Sequence, residues 1–268
     1  MQTSIFTPLQ TLNNFSKNFV VKVKMLMVKK NIIQKQKGPL TILDCRFMDE
    51  YGTEMEGIAF ADVADRINNI INVDGVYSIS GAEVALNDNK DYTVVNNDYK
   101  LKFNRYTKVN EEDPNSIRNV SPRPNIFQLK ELISMDTKKV VDVVGVVLKP
   151  VTLKIEKGYI EKTLVIGDHS GYQCNVKLYG DLAQFDVNEG NAIKINKLRI
   201  NIYHSKILTS IPNTTTIDLI QDINEHIEIK KLDYFLKHNN YKEYKFQEFP
   251  KEGDVYTNAF PSNITNFI

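Results

Sequence analysis

One structural plan occurs twice in this chain, 119 residues apart. Asp49 and Asp168 are each followed after three residues by a glycine, and eight residues later by an aromatic, Phe60 or Tyr179. Hydrophobic runs lead into both copies, and Asp-x-x-Gly combines a side chain that bonds its own backbone with a residue tolerant of positive φ. Each copy therefore predicts strand, tight turn, strand. Because solenoid repeats are much shorter, this spacing predicts tandem domains of one fold.

Each copy continues with a short helical patch, a glycine and further β-rich runs. In the first copy we predict strands at 19–28, 40–48, 53–60, 76–86 and 92–103, with a short helix at 61–71. The second copy has the same order, with its short helix at 181–185. Five strands with a helix between the third and fourth are typical of the OB-fold. The sequence thus predicts an all-β protein of two tandem five-stranded OB-fold barrels, each with a short helix between strands 3 and 4.

Polar and proline-rich segments set the predicted boundaries. The first OB-fold domain spans 1–103, with a lead-in at 1–17 and a basic loop at 29–38. Residues 104–125 contain three prolines and an acidic run, which predicts an extended linker. The second domain spans 126–238 and ends in a helix over 227–236, and residues 239–268 are predicted to be a disordered tail.

Charge is unevenly distributed, although the formal net charge is only +1. Residues 1–43 contain seven lysines and neither Asp nor Glu. Such clustering indicates a local anion-binding surface, although a lysine-rich edge also serves solubility alone. No apolar run reaches the roughly 18 residues of a membrane span, the start does not resemble a signal peptide, and the two cysteines lie in different repeats. We therefore expect no membrane association and a reduced intracellular compartment.

Catalysis is poorly supported. Asp168, His169 and Ser170 are consecutive, so their side chains diverge, whereas a catalytic triad is built from distant positions. The four histidines and two cysteines have no metal-ligand spacing, and no glycine-rich phosphate loop occurs. We expect no enzyme activity, no cofactor, no metal and no small-molecule substrate.

Binding of single-stranded nucleic acid fits the pattern better. One face of an OB barrel uses aromatics that stack on bases and cations that follow the phosphates. An aromatic at a strand end is more often part of the core, but its recurrence at the same offset near lysines favours a stacking role. The candidate residues are Phe60, Tyr92, Tyr179 and Tyr203, with Lys29, Lys30, Lys35, Lys37, Lys100, Lys154, Lys157, Lys162, Lys177, Arg199 and Lys206.

At these residues the chain resembles the large subunit of replication protein A, specifically its two central single-stranded-DNA-binding OB domains. The resemblance covers roughly residues 5–237, and its most specific pieces are Ala59-Phe60, residues 89–99 (NKDYTVVNNDY) and residues 177–181 (KLYGD). It implies that Phe60 and Tyr92 stack bases in the first domain, and that Tyr179 and Tyr203 do so in the second. Arg199 matches a basic contact residue.

Some positions depart from that family. Tyr179 stands where a tryptophan is usual, Glu56 where the first domain tends to be basic, and Leu86 where a lysine is usual, while Lys100 replaces an acidic residue. The family's amino-terminal protein-recruiting domain and its carboxy-terminal zinc-binding, trimer-forming domain have no counterpart here. We therefore expect a fragment, a truncated gene product or a shortened paralogue.

The resemblance implies a nuclear protein that binds single-stranded DNA in replication, repair or recombination, together with other subunits of a similar complex. One alternative is a telomere-dedicated paralogue that binds G-rich strands. Another is a scaffold whose OB faces bind protein after the nucleic-acid groove has decayed, an idea that Glu56 and Leu86 favour.

Overall fold

The computed structural model describes residues 6–36, 38–88, 93–117, 120, 122, 126–156, 159–221 and 226–251. The chain divides into two units, residues 1–125 and residues 126–268. Each unit is a curled, mostly antiparallel sheet, and each encloses its own hydrophobic core. The predicted all-β fold of tandem OB barrels is confirmed.

Seven strands form the sheet of the first unit: β1 (Val20–Lys35), β2 (Gly38–Met48), β3 (Glu54–Phe60), β4 (Val76–Ser80), β5 (Glu83–Leu86), β6 (Tyr99–Lys102) and β7 (Lys108–Glu111). Their order is β5-β6-β3-β2-β1-β4-β7, with β3 and β6 parallel. The strand β5 lies at one end of this order and β4 lies near the other end. Because only Gly81 and Ala82 separate β4 from β5 in the chain, the sheet must curl to bring its two ends together. Helix α1 (Ala61–Asn68) lies between the third and fourth barrel strands, as predicted.

Inward and outward side chains alternate along these strands, and the inward ones fill the barrel with apolar groups. Leu43, Cys45 and Phe47 of β2 are almost completely buried, and Ile67 of α1 joins them. Burying side chains of this size contributes roughly 1.5–3 kcal/mol each to stability. Gly57 is required in β3 because a Cβ there would lie only 2.7 Å from Cys45 Sγ.

The second unit is a barrel closed by hydrogen bonds around its whole ring. Its strands are β8 (Val140–Glu156), β9 (Tyr159–Gly167), β10 (Tyr172–Tyr179), β11 (Ala192–Tyr203) and β12 (Ser205–Ser210), with β13 (Thr216–Leu219) added outside β11. β10 pairs with β9 and, in parallel, with β12, while β11 pairs with both β12 and β8. A 3₁₀-helix (Gly180–Gln184) takes the place of α1.

The duplicated aspartates have the same structural role in both units. Asp49 Oδ1 accepts hydrogen bonds from the turn amides, and its Oδ2 accepts one from the amide of Leu9 at 2.9 Å. Asp168 likewise accepts from its own turn and, at 2.7 Å, from the amide of Leu129. Leu9 begins a 3₁₀-helix (Leu9–Thr11), and Leu129 begins the one-turn helix α2 (Leu129–Leu132). Each aspartate therefore fastens the segment that precedes its barrel.

Residues 29–35 are not part of the basic loop that the sequence predicts over 29–38. β1 and β2 stay paired out to Lys35 and Gly38, so residues 29–35 form one edge of a two-stranded arm. In the second unit, Lys154 and Lys162 likewise lie in paired strands, because β8 and β9 remain in register out to Glu156 and Tyr159. Backbone pairing that begins in the barrel continues through the lysines of both arms.

Two further expectations need correction. The prediction of an extended linker over 104–125 is wrong for its first half. There β7 pairs with β4, and a 3₁₀-helix (Pro114–Ser116) follows. The disordered tail is wrong for residues 239–251, because after helix α3 (Ile227–His238) the strand β14 (Gln247–Glu248) pairs with β10, and Phe249 enters the second core. Phe249 is buried and the rings of Tyr244 and Phe246 pack together, which holds this segment in place although its charged residues stay exposed. The predicted strand 92–103 is shorter, because β6 begins at Tyr99.

Candidate nucleic-acid interface

The outer face of the second barrel carries a row of side chains that runs across four strands. Thr163 of β9 pairs with Lys177 of β10, which pairs with Thr209 of β12, which pairs with Arg199 of β11. Residues that are directly opposite in a sheet share a face. Their chain neighbours Leu164, Val176, Leu178, Leu198, Ile200 and Leu208 fill the core, so this row points outward. We call these four residues the second-unit row.

Two tyrosines stand at the ends of the strands that carry this row. Tyr179 is the last residue of β10, and its amide donates to Ser210 Oγ at 3.0 Å. Tyr203 ends β11 and is 65% exposed. Lys177 Nζ lies 5.4 Å from the centre of the Tyr203 ring, a cation–π contact. Both rings therefore lie beside the cations of the row.

A carboxylate, that of Glu161, accompanies the cations Lys154, Lys177 and Arg199 on this face. Glu161 pairs with Tyr179 across the strands and receives Lys177 Nζ at 3.0 Å. Lys154 is exposed on β8, opposite Glu161. Arg199 is partly exposed on β11, and the neighbouring Asn201 Nδ2 donates to Thr209 Oγ1 at 2.6 Å. The result is a polar, net cationic strip flanked by two aromatic rings.

Two predicted phosphate contacts are instead engaged within the protein. The ammonium of Lys162 is largely buried and donates to the carbonyl of Phe185. Lys206 donates to the carbonyls at the end of α2, including Ile133 at 2.6 Å, and burial lowers its pKa. These two lysines hold elements together and are left out of the proposed interface.

In the first unit the equivalent row differs in charge. Taken in the same strand order, it consists of Asp44 of β2, Ile58 of β3, Lys102 of β6 and Glu83 of β5. We call these four residues the first-unit row. Its formal charge is −1, whereas that of the second-unit row is +2. Phe60 ends β3, as Tyr179 ends β10, and is 37% exposed.

Glu56 has a structural partner that the sequence does not reveal. Its carboxylate accepts from Asn87 Nδ2 at 2.9 Å, from Thr93 Oγ1 at 2.8 Å and from the amide of Val94 at 2.8 Å. Asn87 and Thr93 are both buried. Glu56 therefore fastens the segment that follows β5 to the outer face of β3. Nearby, Lys100 forms an ion pair with Asp88 at 3.5 Å.

The remaining candidate lysines of the first unit lie on the arm of β1 and β2. Lys29 and Lys35 are exposed there, and Lys30 Nζ forms an ion pair with Asp65 of α1 at 2.6 Å. Ile32 and Ile33, between them in the chain, are exposed as well. Three predicted contacts, Tyr92, Lys37 and Lys157, lie outside the described residues.

The described part of the chain offers little for catalysis. Asp168 is buried, and that burial raises its pKa to about 6 despite its hydrogen bonds to Ser170 and Leu129. His169 turns instead to Glu228, 3.2 Å away, and burial lowers the pKa of the imidazole. No group of His, Cys, Asp or Glu within the described ranges could hold a metal ion. Among the same residues, no helix is long and apolar enough to cross a membrane.

One family model and several curated proteins match this chain. A domain of unknown function, DUF223, matches residues 10–127. The chain is 24% identical over 233 residues to replication factor A protein 1 of Schizosaccharomyces pombe, covering 83% of this chain and 37% of that protein. It is 27% identical over 233 residues, with the same coverage, to the replication protein A 70 kDa DNA-binding subunit of Xenopus laevis.

A structure of a replication protein A heterotrimer bound to single-stranded DNA is 18% identical, with a TM-score of 0.46, covering 93% of this chain and 58% of that one. The chain spans little more than a third of the length of the two relatives named above. Over that stretch it is homologous to the 70 kDa DNA-binding subunit of replication protein A.

Proposed function

We propose that this protein binds single-stranded DNA, as a non-enzymatic protein of the replication protein A large-subunit type. The observation that carries the proposal is the second-unit row with its two flanking tyrosines. Lys177 and Arg199 supply two cations on one outer face, and Tyr179 and Tyr203 end the strands that carry them.

This arrangement suits a flexible, unpaired strand. Stacking of a base on an aromatic ring contributes roughly 1–3 kcal/mol and tolerates any base, because every base has a π-face. Unpaired strands can turn their bases onto the rings while cations neutralise the phosphates, whereas a duplex keeps its bases stacked inside. Binding to single strands should therefore exceed binding to duplex of the same sequence.

The first unit supports the proposal through Phe60 and the lysines of its arm, and the name of the relatives agrees with it. We extend the proposal to a role in DNA replication, repair or recombination in the nucleus, with partner subunits like those of a replication protein A complex. These roles follow from the homology, since no described side chain distinguishes among them.

A competition titration tests the proposal. A fluorescent single-stranded oligonucleotide is bound to the intact protein and displaced by unlabelled single-stranded DNA, duplex DNA or RNA, with anisotropy as the readout. We expect single-stranded DNA to compete best and duplex DNA to compete weakly. Absence of binding to single strands, or equal competition by duplex, would contradict the proposal and favour a protein-binding scaffold.

A further inference from the structure

Asp44 is an unusual residue for a surface that meets phosphates. It is the first acidic residue of the chain, after seven lysines, and it lies on the outer face of β2 in the first-unit row. Its register partners are Lys29 of β1 and Ile58 of β3. In the second unit the equivalent position is occupied by the uncharged Thr163. Only the first face therefore carries a carboxylate at this position.

Asp44 is close to the place where the stacked base is proposed to lie. Phe60 pairs with Ile42, two residues along β2 from Asp44, so Asp44 and Phe60 are diagonal neighbours on one face. Diagonal pairs across antiparallel strands lie about 7–8 Å apart at Cα and closer at Cβ, within reach of long or aromatic side chains. A base that covers the Phe60 ring brings its edge towards the carboxylate.

The surroundings of Asp44 leave it able to accept hydrogen bonds. Asn31 Nδ2 donates to Oδ2 at 3.3 Å, so the side chain is held in place on one side. Apolar Ile42 and Ile58 and the cation Lys29 flank it. Desolvation, with a smaller contribution from nearby Glu56, raises its pKa against the opposing effects of Asn31, Lys29 and Lys100. An ionised carboxylate only accepts hydrogen bonds, and a half-buried one gains most from a donor that replaces lost water.

Base edges differ in whether they present such a donor. Cytosine, adenine and guanine carry an exocyclic amino group, whereas thymine and uracil carry a carbonyl oxygen in its place. A carboxylate attracts the amino group and repels the carbonyl oxygen. It also repels phosphates, so a carboxylate on this face makes sense as a contact to bases rather than to the backbone.

We infer that Asp44 makes the first unit selective for bases that bear an amino group, by accepting a hydrogen bond from the base stacked on Phe60. The inference rests on the proposed function, which supplies the stacked base. Its second-unit counterpart, Thr163, carries no charge, and the carboxylate opposite Tyr179, that of Glu161, is already engaged by Lys177 Nζ at 3.0 Å. Selectivity of this kind therefore belongs to the first unit.

Oligo-dC and oligo-dU of equal length provide the test, because these bases differ at the 4-position, amino in one and carbonyl in the other. We expect the intact wild-type protein to bind oligo-dC about fivefold more tightly than oligo-dU. In Asp44→Thr, which installs the residue of the second unit, the ratio should fall to about one, largely because affinity for oligo-dU rises.

Glu83→Gln is the matched control, since it removes a negative charge from the same row at a position far from Phe60 in the register. It should raise both affinities and leave their ratio unchanged. Thermal unfolding of both variants checks that the fold is intact, and threonine suits a strand position. Equal wild-type affinities for the two oligonucleotides, or a ratio that survives Asp44→Thr, would overturn the inference while single-strand binding stands. Absence of binding to either oligonucleotide would overturn the proposed function itself.

Discussion

The two barrels share their framework and differ on the face that we assign to nucleic acid. Both fasten their leading segment with an aspartate in the same turn, and both end their third strand in an aromatic. The rows beside those aromatics carry formal charges of −1 in the first unit and +2 in the second. Outward side chains contribute little to the cores, so they can diverge without cost to the fold. The duplication thus permits a division of labour, in which the second unit supplies most of the affinity and the first adds selectivity.

Separation of the two units should have the largest effect. Linking two binding modules raises avidity by about 10²–10⁴ when one strand reaches both. Fragments 1–125 and 126–268, each with its own core, should therefore bind long oligo-dT far more weakly than the intact chain. Fragment 126–268 should retain more affinity than fragment 1–125. Titration of both fragments and the intact chain on a length series checks this, and equal binding by fragment 1–125 and the intact chain would refute it.

Removal of the stacking rings should reveal the asymmetry directly. Tyr179→Ala and Tyr203→Ala should each weaken binding by roughly 1–3 kcal/mol, because each deletes a platform for a base. Phe60→Ala should cost less, since its row repels phosphates. Tyr106→Ala removes an equally exposed tyrosine that lies after β6, outside both rows, and should leave affinity unchanged. A larger loss for Phe60→Ala than for Tyr179→Ala would reverse the assignment of affinity to the second unit.

The aspartate that fastens the second unit should make stability depend on pH. Burial raises the pKa of Asp168 from 3.8 to about 6, so the folded protein holds that proton more tightly than the unfolded chain does. The contribution of Asp168 to the free energy of unfolding is fully present below about pH 4 and is lost as pH rises through about 6. The change is about 3 kcal/mol at most. The lowered pKa of His169 acts in the opposite direction.

A comparison with Asp168→Asn isolates the aspartate. The variant should be less stable throughout, because an amide cannot accept all of the hydrogen bonds to Ser170 and Leu129. As pH rises from about 4 to about 6, the wild-type carboxyl group ionises and the wild-type protein loses stability. The deficit of the variant relative to wild type should therefore shrink over this range. Urea unfolding followed by circular dichroism gives this difference, and a deficit that stays constant across that window would contradict the assigned pKa.

The sequence was informative wherever a local rule applied. Asp-x-x-Gly predicted both turns, in which Gly52 and Gly171 have positive φ, and the duplicated spacing placed Phe60 and Tyr179 at equivalent strand ends. It failed where the partner is distant in the chain. Lys206 reads as a surface cation, and only the fold brings it to the carbonyl of Ile133.

The same limit explains the other differences. Glu56 reads as a lost basic contact, but its partners Asn87 and Thr93 are more than 30 residues away. Residues 29–35 read as part of a basic loop, since their lysines and Gln34 favour no strand. They are strands because pairing propagates outward from the barrel. Register across the sheet, which defines both rows, is likewise invisible until the barrel is assembled.

The smallest expected effect is on the salt dependence of binding, and it tests the charge difference between the rows by exchange. Each phosphate neutralised on a single strand contributes a log–log slope of about −0.7. Lys177→Gln with Arg199→Gln should therefore flatten the slope by about 1.4, whereas Ile58→Lys with Glu83→Arg, which installs the second-unit charges in the first-unit row, should steepen it by about as much. Lys237→Gln, which removes a cation of α3 paired with Asp233, should leave the slope unchanged. If the first-unit variant left the slope unchanged, the face of that row would not lie along the DNA. The division of labour between the barrels would then have to rest on other surfaces.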